Sequence, residues 1–116
     1  MIKGIGIDIV EIERIKSAVK RNGTKFLEKI FTPSEISYCK KFNKLRLPEL
    51  SVRFAAKEAY SKAAGTGMVG IHWKEIEVCN EKNGRPYLKI KGKTNKNIHI
   101  SLSHSQDYAI ANVIIE

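Results

Sequence analysis

Gly4-Ile5-Gly6-Ile7-Asp8-Ile9-Val10-Glu11-Ile12 changes its period part-way along. Ile5, Ile7 and Ile9 alternate with Gly4, Gly6 and Asp8, the period of two that marks a strand. Helical spacing then takes over: Ile12, Ile15 and Val19 share one face, while Glu13, Arg14, Lys16, Lys20 and Arg21 cover the other. Asn22-Gly23 is a suitable end for that helix. One strand therefore feeds a helix at the start of the chain, and the class depends on where the other strands fall.

Downstream, Thr32-Pro33-Ser34-Glu35 predicts a second helix start, with Thr32 as cap, Pro33 at the first helical position and Glu35 closing a capping box. A basic loop, Lys40 to Arg46, follows. A third helix is expected from Pro48 to about Ala64, rich in alanine at 55, 56, 59, 63 and 64, and Gly65 stops it. After Gly70 the pattern is β: Ile76 and Val78, then Tyr87, Leu88 and Ile90, with Asn83-Gly84 as the hairpin turn between them. Ile98, Ile100 and Leu102 mark another strand, and Tyr108 to Ile115 the last. Helices early and strands late predict a single small α+β domain spanning residues 1–116, an antiparallel sheet against a long Ala-rich helix.

A chain of 116 residues with 42% hydrophobic residues builds one thin core, and oligomerisation is an ordinary way to bury more surface. Lys and Arg number 21 against 12 Asp and Glu, a net +9 that calls for an anionic partner. Nucleic acid, a membrane surface, an acidic protein and a phosphorylated small molecule all meet that description. Trp73 and the four tyrosines form no stacking array, which argues against nucleic acid, and no apolar run is long enough for a membrane. Cys39 and Cys79 read as free thiols in a reducing compartment. The opening residues reach acidic side chains too soon for a signal peptide, so a soluble cytoplasmic protein is expected.

Four places carry chemistry. Asp8, where strand gives way to helix, can hold a hard cation, although Asp8-x-x-Glu11 also reads as a capping pair, and the residues alone favour the cap. Glu58 and Lys62 share a face of the third helix, with Arg53, Lys57 and Ser61 on the adjoining stripe; a solvated face is the ordinary reading. Gly65-Thr66-Gly67-Met68-Val69-Gly70 matches GxGxxG, but it follows a helix and precedes strands, the reverse of a dinucleotide fingerprint. Ser101, Ser103, His104, Ser105 and Asp107 contain the residue types of a hydrolase triad without a nucleophile elbow; strand-end and turn polarity is the simpler account, and His104 can still meet a phosphate.

Taken together and in order, the first segment, Arg53-Phe54-Ala55-Ala56-Lys57-Glu58-Ala59 through Ser61-Lys62-Ala63 to Gly65-Thr66-Gly67, and Ser101-Leu102-Ser103-His104-Ser105 resemble the holo-acyl-carrier-protein synthases, the short phosphopantetheinyl transferases; Gly84-Arg85-Pro86 adds a weaker match. The resemblance covers nearly the whole chain, from Ile2 to the end. It implies transfer of the 4′-phosphopantetheine arm of coenzyme A to a serine of an acidic acyl carrier protein, in support of fatty acid biosynthesis. Asp8 and Glu58 would bind Mg²⁺, with Lys62 beside the pyrophosphate as the third catalytic residue. Arg53, Ser61, Gly65, Thr66, Arg85, Pro86 and His104 would surround coenzyme A. Arg14 would be the main carrier-protein contact, with Arg21 and Lys25 as weaker ones, in a homotrimer with sites between subunits. Ser51-Val52 stands where the family commonly has Ala-Gly, so the packing there is expected to differ. A basic nucleic-acid-binding domain and a non-catalytic scaffold of the same fold are the competing readings.

Overall fold

The computed structural model describes residues 1–116. Strand β1 (Gly4–Glu11) leads into α1 (Ile12–Asn22), α2 (Thr24–Ile30) and α3 (Pro33–Cys39). The small hairpin β2 (Lys40–Lys41) and β3 (Lys44–Leu45) precedes the long helix α4 (Leu47–Ala64). Beyond α4 come a 3-10 turn (Trp73–Glu75), β4 (Ile76–Asn80), β5 (Pro86–Ile90), β6 (Lys93–Thr94), β7 (Ile98–His104) and β8 (Tyr108–Ile115). All strand pairs are antiparallel, in sheets ordered β1-β8-β7, β2-β3 and β4-β5-β6. The α+β expectation holds, with the strands divided among three sheets.

Helix α4 is the axis of the fold. Its alanines 55, 56, 59 and 63 are buried against Ile76, Val78 and Leu88 from β4 and β5 and against Ala111 and Val113 from β8. Small side chains let strands come close, and β1 comes closest. A Cβ on Gly4 would lie 1.9 Å from the Ala63 carbonyl oxygen, and one on Gly6 would lie 2.0 Å from that of Ala59. Only glycine permits that approach. The alternation in β1 is thus inverted from the usual arrangement: the glycines face the helix, while Ile5, Ile7 and Ile9 are exposed. A second core, Ile15, Leu27, Ile30, Phe31, Cys39 and Leu50, ties α1, α2 and α3 to the start of α4.

Several local expectations change. Residues 24–30 form a helix that the periodicity of the first segment did not reveal, and the basic loop closes as a hairpin with Phe42 and Asn43 at positive φ. The turn between β4 and β5 spans Glu81–Arg85, longer than a two-residue hairpin, closed by Gly84 N–H to Glu81 and by Glu81 N–H to Arg85. The Thr32–Glu35 capping box forms as read, and α4 ends at Gly65 with φ +78. Asp8 caps nothing: it sits inside β1 opposite Ala111, and Glu11 occupies the cap position without a side-chain bond. The first amide of α1, at Ile12, is instead satisfied by the Asp107 carbonyl.

The Arg53–Lys57–Ser61 stripe is not a solvated face. All three are buried, and the interior compensates the two charges. Lys57 Nζ donates to Glu35 Oε1 at 2.7 Å, to the Trp73 carbonyl at 3.1 Å and to the Ile76 carbonyl. Glu35 also accepts from the Thr32 amide at 3.0 Å and the Val78 amide at 2.9 Å. Burial nevertheless pushes the Lys57 ammonium below its ordinary pKa, with Glu35 opposing the shift. Ser51 is fully buried, and its Oγ has no partner.

Candidate functional site

The close glycine contact between β1 and α4 fixes where the carboxylates lie. Two residues beyond Gly6, Asp8 faces the last turns of α4, where Glu58 and Lys62 project. Lys62 Nζ lies 3.2 Å from Asp8 Oδ1 and donates to the Ile7 carbonyl at 2.9 Å. Glu58 is half-buried; desolvation raises its carboxyl pKa, Asp8 raises it further, and Lys62 opposes them. The three side chains line one cavity of about 550 Å³ with Arg14, Arg21 and an apolar wall that includes Phe26 and Phe54. The carboxylates that the sequence separated by fifty residues therefore meet, and a basic helix borders them.

These residues suit Mg²⁺. Asp8 and Glu58 line one cavity, and a cation bound there would offset the unfavourable charge that desolvation and Asp8 impose on Glu58. Mg²⁺ takes one or two carboxylates plus phosphate oxygens and water. No cluster of three or more His, Cys, Asp or Glu side chains exists to form the closed cage of a structural zinc.

On a different part of α4, a second cavity of about 300 Å³ is lined by Tyr38, Glu49, Val52, Arg53, Asn80, Gly84, Pro86, Leu102, Ser103 and His104. The candidates Arg53, Pro86 and His104 converge here, and exposed Arg85 adjoins them in sequence. Gly65 and Thr66 are exposed beyond the end of α4. Ser61 is buried and donates to the Glu58 carbonyl at 2.7 Å, so its hydroxyl is already engaged within the helix. Lys25 is exposed on α2 and does not join Arg14 and Arg21 in the wall of the carboxylate cavity. The triad types do not assemble either: His104 Nε2 faces Glu49 Oε1 at 3.8 Å, and Ser105 makes its bonds with Tyr108 in the turn before β8.

Sequence reasoning missed Glu49, Tyr38 and Asn80. Glu49 had a signal, its position four residues before Arg53 on a helix. Tyr38 and Asn80 arrive through tertiary packing and had none. Burial pushes the Cys39 thiol up to about 11, and Cys79 is also raised, by burial and by Glu77, which disfavours the reactive thiolate in both.

A family model described as the 4′-phosphopantetheinyl transferase superfamily matches residues 4–113. The holo-[acyl-carrier-protein] synthase of Halothermothrix orenii is 48% identical over 124 aligned positions, covering 100% of this chain and 98% of that protein. That of Clostridium tetani is 49% identical, covering 100% and 97%. Among solved structures, a holo-(acyl-carrier-protein) synthase from Bacillus anthracis in complex with CoA (3′,5′-ADP) superposes with a TM-score of 0.84 at 42% identity, covering 100% of this chain and 97% of that one. The Helicobacter pylori synthase in complex with coenzyme A gives 0.83 at 34% identity, covering 97% and 99%. An ordered set of motifs, a matching fold and full-length similarity agree: the chain belongs to the 4′-phosphopantetheinyl transferase superfamily, among its holo-[acyl-carrier-protein] synthases.

Proposed function

We propose that this protein transfers the 4′-phosphopantetheine arm of coenzyme A to a serine of an acidic apo-acyl carrier protein, releasing adenosine 3′,5′-bisphosphate and supporting fatty acid biosynthesis. The observation that carries the reading is the meeting of Asp8, Glu58 and Lys62 in one cleft walled by Arg14 and Arg21. A phosphate-handling group and a basic docking helix then share an edge. The two free cysteines suit a cytoplasmic setting, and no helix is long and apolar enough to cross a membrane.

Asp8 and Glu58 would hold Mg²⁺, which when bound supplies charge neutralisation at the pyrophosphate. The serine oxygen attacks the β-phosphorus, a new P–O bond forms, and the bond to the adenosine bisphosphate breaks. Phosphoryl-type transfer depends mainly on positioning and charge stabilisation. A bound water, or Glu58 through it, would accept the serine proton. Lys62 would leave Asp8 for the departing phosphate, a shift that its exposed side chain allows. Arg14, Lys16, Lys20 and Arg21 on the outer face of α1 would steer the acidic carrier protein, acting on association rate more than on final affinity.

A homotrimer is the assembly we favour. In β1 and β8, Ile5, Ile7, Ile9, Tyr108 and Ile110 leave an apolar sheet face exposed. The Arg53–His104 cavity and the carboxylate cavity are also separate within one chain, so a site completed across subunits would join them.

Steady-state kinetics with two variants test the reading. Asp8→Ala should abolish transfer with the fold retained. Arg14→Glu should raise the carrier-protein KM by about tenfold or more while moving the coenzyme A KM little. Retained transfer in Asp8→Ala overturns the catalytic assignment, and equal damage to both KM values in Arg14→Glu overturns the docking face.

A further inference from the structure

We propose that Glu49 is a positioning residue of the coenzyme A site, holding Arg53 and His104 at one cavity with a single carboxylate. The inference rests on the coenzyme A reading above and adds a residue to it. Oε2 accepts from Arg53 Nη1 at 3.2 Å, and Oε1 faces His104 Nε2 at 3.8 Å, inside ion-pair range and outside hydrogen-bond range. A first-turn glutamate paired with an arginine four residues on is an ordinary helix feature. The second contact is not ordinary, because His104 comes from the far end of β7 and meets Glu49 across the cavity.

Arg53 shows what the carboxylate achieves. Its side chain is 1% exposed, and its cationic carbon lies 4.2 Å from the Tyr38 ring centroid. Nη1 donates to both the Glu49 carbonyl and Oε2, and Nη2 donates to Asn80 Oδ1 at 2.6 Å. Of five guanidinium N–H groups, three are spent. The buried Nε has no partner, and one Nη2 N–H remains. Arg53 is therefore clamped by its helix, by β4 and by an aromatic face, with two N–H groups left over in a residue that lines the cavity. A phosphate oxygen is the ligand chemistry that such reserved donors fit. Glu49 sets the arginine's orientation and faces the imidazole across the same cavity, a contact that becomes an ion pair when His104 is protonated.

The test is calorimetric titration of coenzyme A into the wild-type protein and Glu49→Gln, paired with steady-state kinetics. Gln keeps the size and an acceptor oxygen and loses the charge. The expected result is a coenzyme A Kd and KM raised about tenfold, with a carrier-protein KM within about twofold of wild type. The double variant Glu49→Gln/His104→Gln should bind no more weakly than the weaker single variant, because one arrangement is being removed twice. If Glu49→Gln fails to fold, Glu49→Asp reads the same contact by withdrawing the carboxylate while keeping its charge, and a raised Kd is again expected. Unchanged Kd in a folded Glu49 variant overturns the proposal and leaves Glu49 a stability residue. Tighter binding overturns it too and assigns the carboxylate a repulsive effect on phosphate. No coenzyme A binding by the wild-type protein overturns the underlying reading as well, so the two failures are distinguishable.

Discussion

Gly6→Ala should damage stability and catalysis together, because one close contact sets both. The new Cβ would lie 2.0 Å from the Ala59 carbonyl oxygen, 2.7 Å from the Ala63 amide nitrogen and 3.0 Å from the Ala59 carbonyl carbon. All three are backbone atoms of a helix in the middle of the core and cannot rotate away. Restoring ordinary contact at 3.4 Å separates β1 from α4 by about 1.4 Å locally. Overpacking of this kind costs about 3 kcal/mol, a large share of the roughly 5–15 kcal/mol that holds a domain folded. Asp8 follows Gly6 by two residues on the same face, so it moves off Glu58 and Lys62. A displacement near 1 Å at a reacting site costs about a hundredfold in rate. Urea unfolding followed by circular dichroism reads the first effect, and kcat for carrier-protein modification reads the second. Gly92→Ala is the control: its Cβ meets nothing within 4 Å, and only the φ of +80 opposes it, at about 1–2 kcal/mol. Wild-type urea midpoint and kcat in Gly6→Ala would refute the claim that the β1–α4 contact positions the site.

Three further outcomes are expected of the interior. Lys57→Met and Glu35→Gln should each destabilise by about 3–5 kcal/mol, since each leaves the other's polar group buried without its counter-charge; the double variant should lose clearly less than the two single losses combined, and simple additivity in urea midpoints would contradict the pairing. Ser51→Ala should stabilise by about 1 kcal/mol, because it removes a buried hydroxyl with no partner from a helix interior; a lowered melting temperature would refute this. For Glu58 the folded-state carboxyl is raised, so its stabilising contribution is fully present below its unfolded pKa and is lost as pH rises through the folded value. Glu58→Gln cannot ionise and escapes that loss, so it should be more stable than wild type near about pH 8 and converge with it near about pH 4; a variant less stable than wild type at the higher pH would overturn the sign.

Much of the fold was legible in residue patterns, for identifiable reasons. The ends of α1 and α4, the Thr32 capping box and the late strands are local properties, written in glycine, proline and capping positions. The α2 helix was not legible, because a seven-residue helix gives too few turns to establish a period. The direction of β1 was misleading on physics alone: alternation shows two faces, and here the apolar face is exposed while glycine packs inward. Arg53 and Lys57 look like solvent-facing residues by type, and only β4 and α3 supply the partners that bury them. Asp8 and Glu58 are candidates whose meeting depends on a helix crossing a strand, which no spacing rule encodes. The motif order supplied that meeting through resemblance, and the Gly6–Ala59 contact supplies its physical cause.

The most direct test is the intact mass of the carrier protein. Purified protein, apo-acyl carrier protein, coenzyme A and Mg²⁺ are incubated with and without EDTA, and the carrier protein is weighed. The expected result is a gain of one phosphopantetheine on the carrier serine that is lost with EDTA. An unmodified carrier protein, where a known synthase modifies the same preparation, would contradict it.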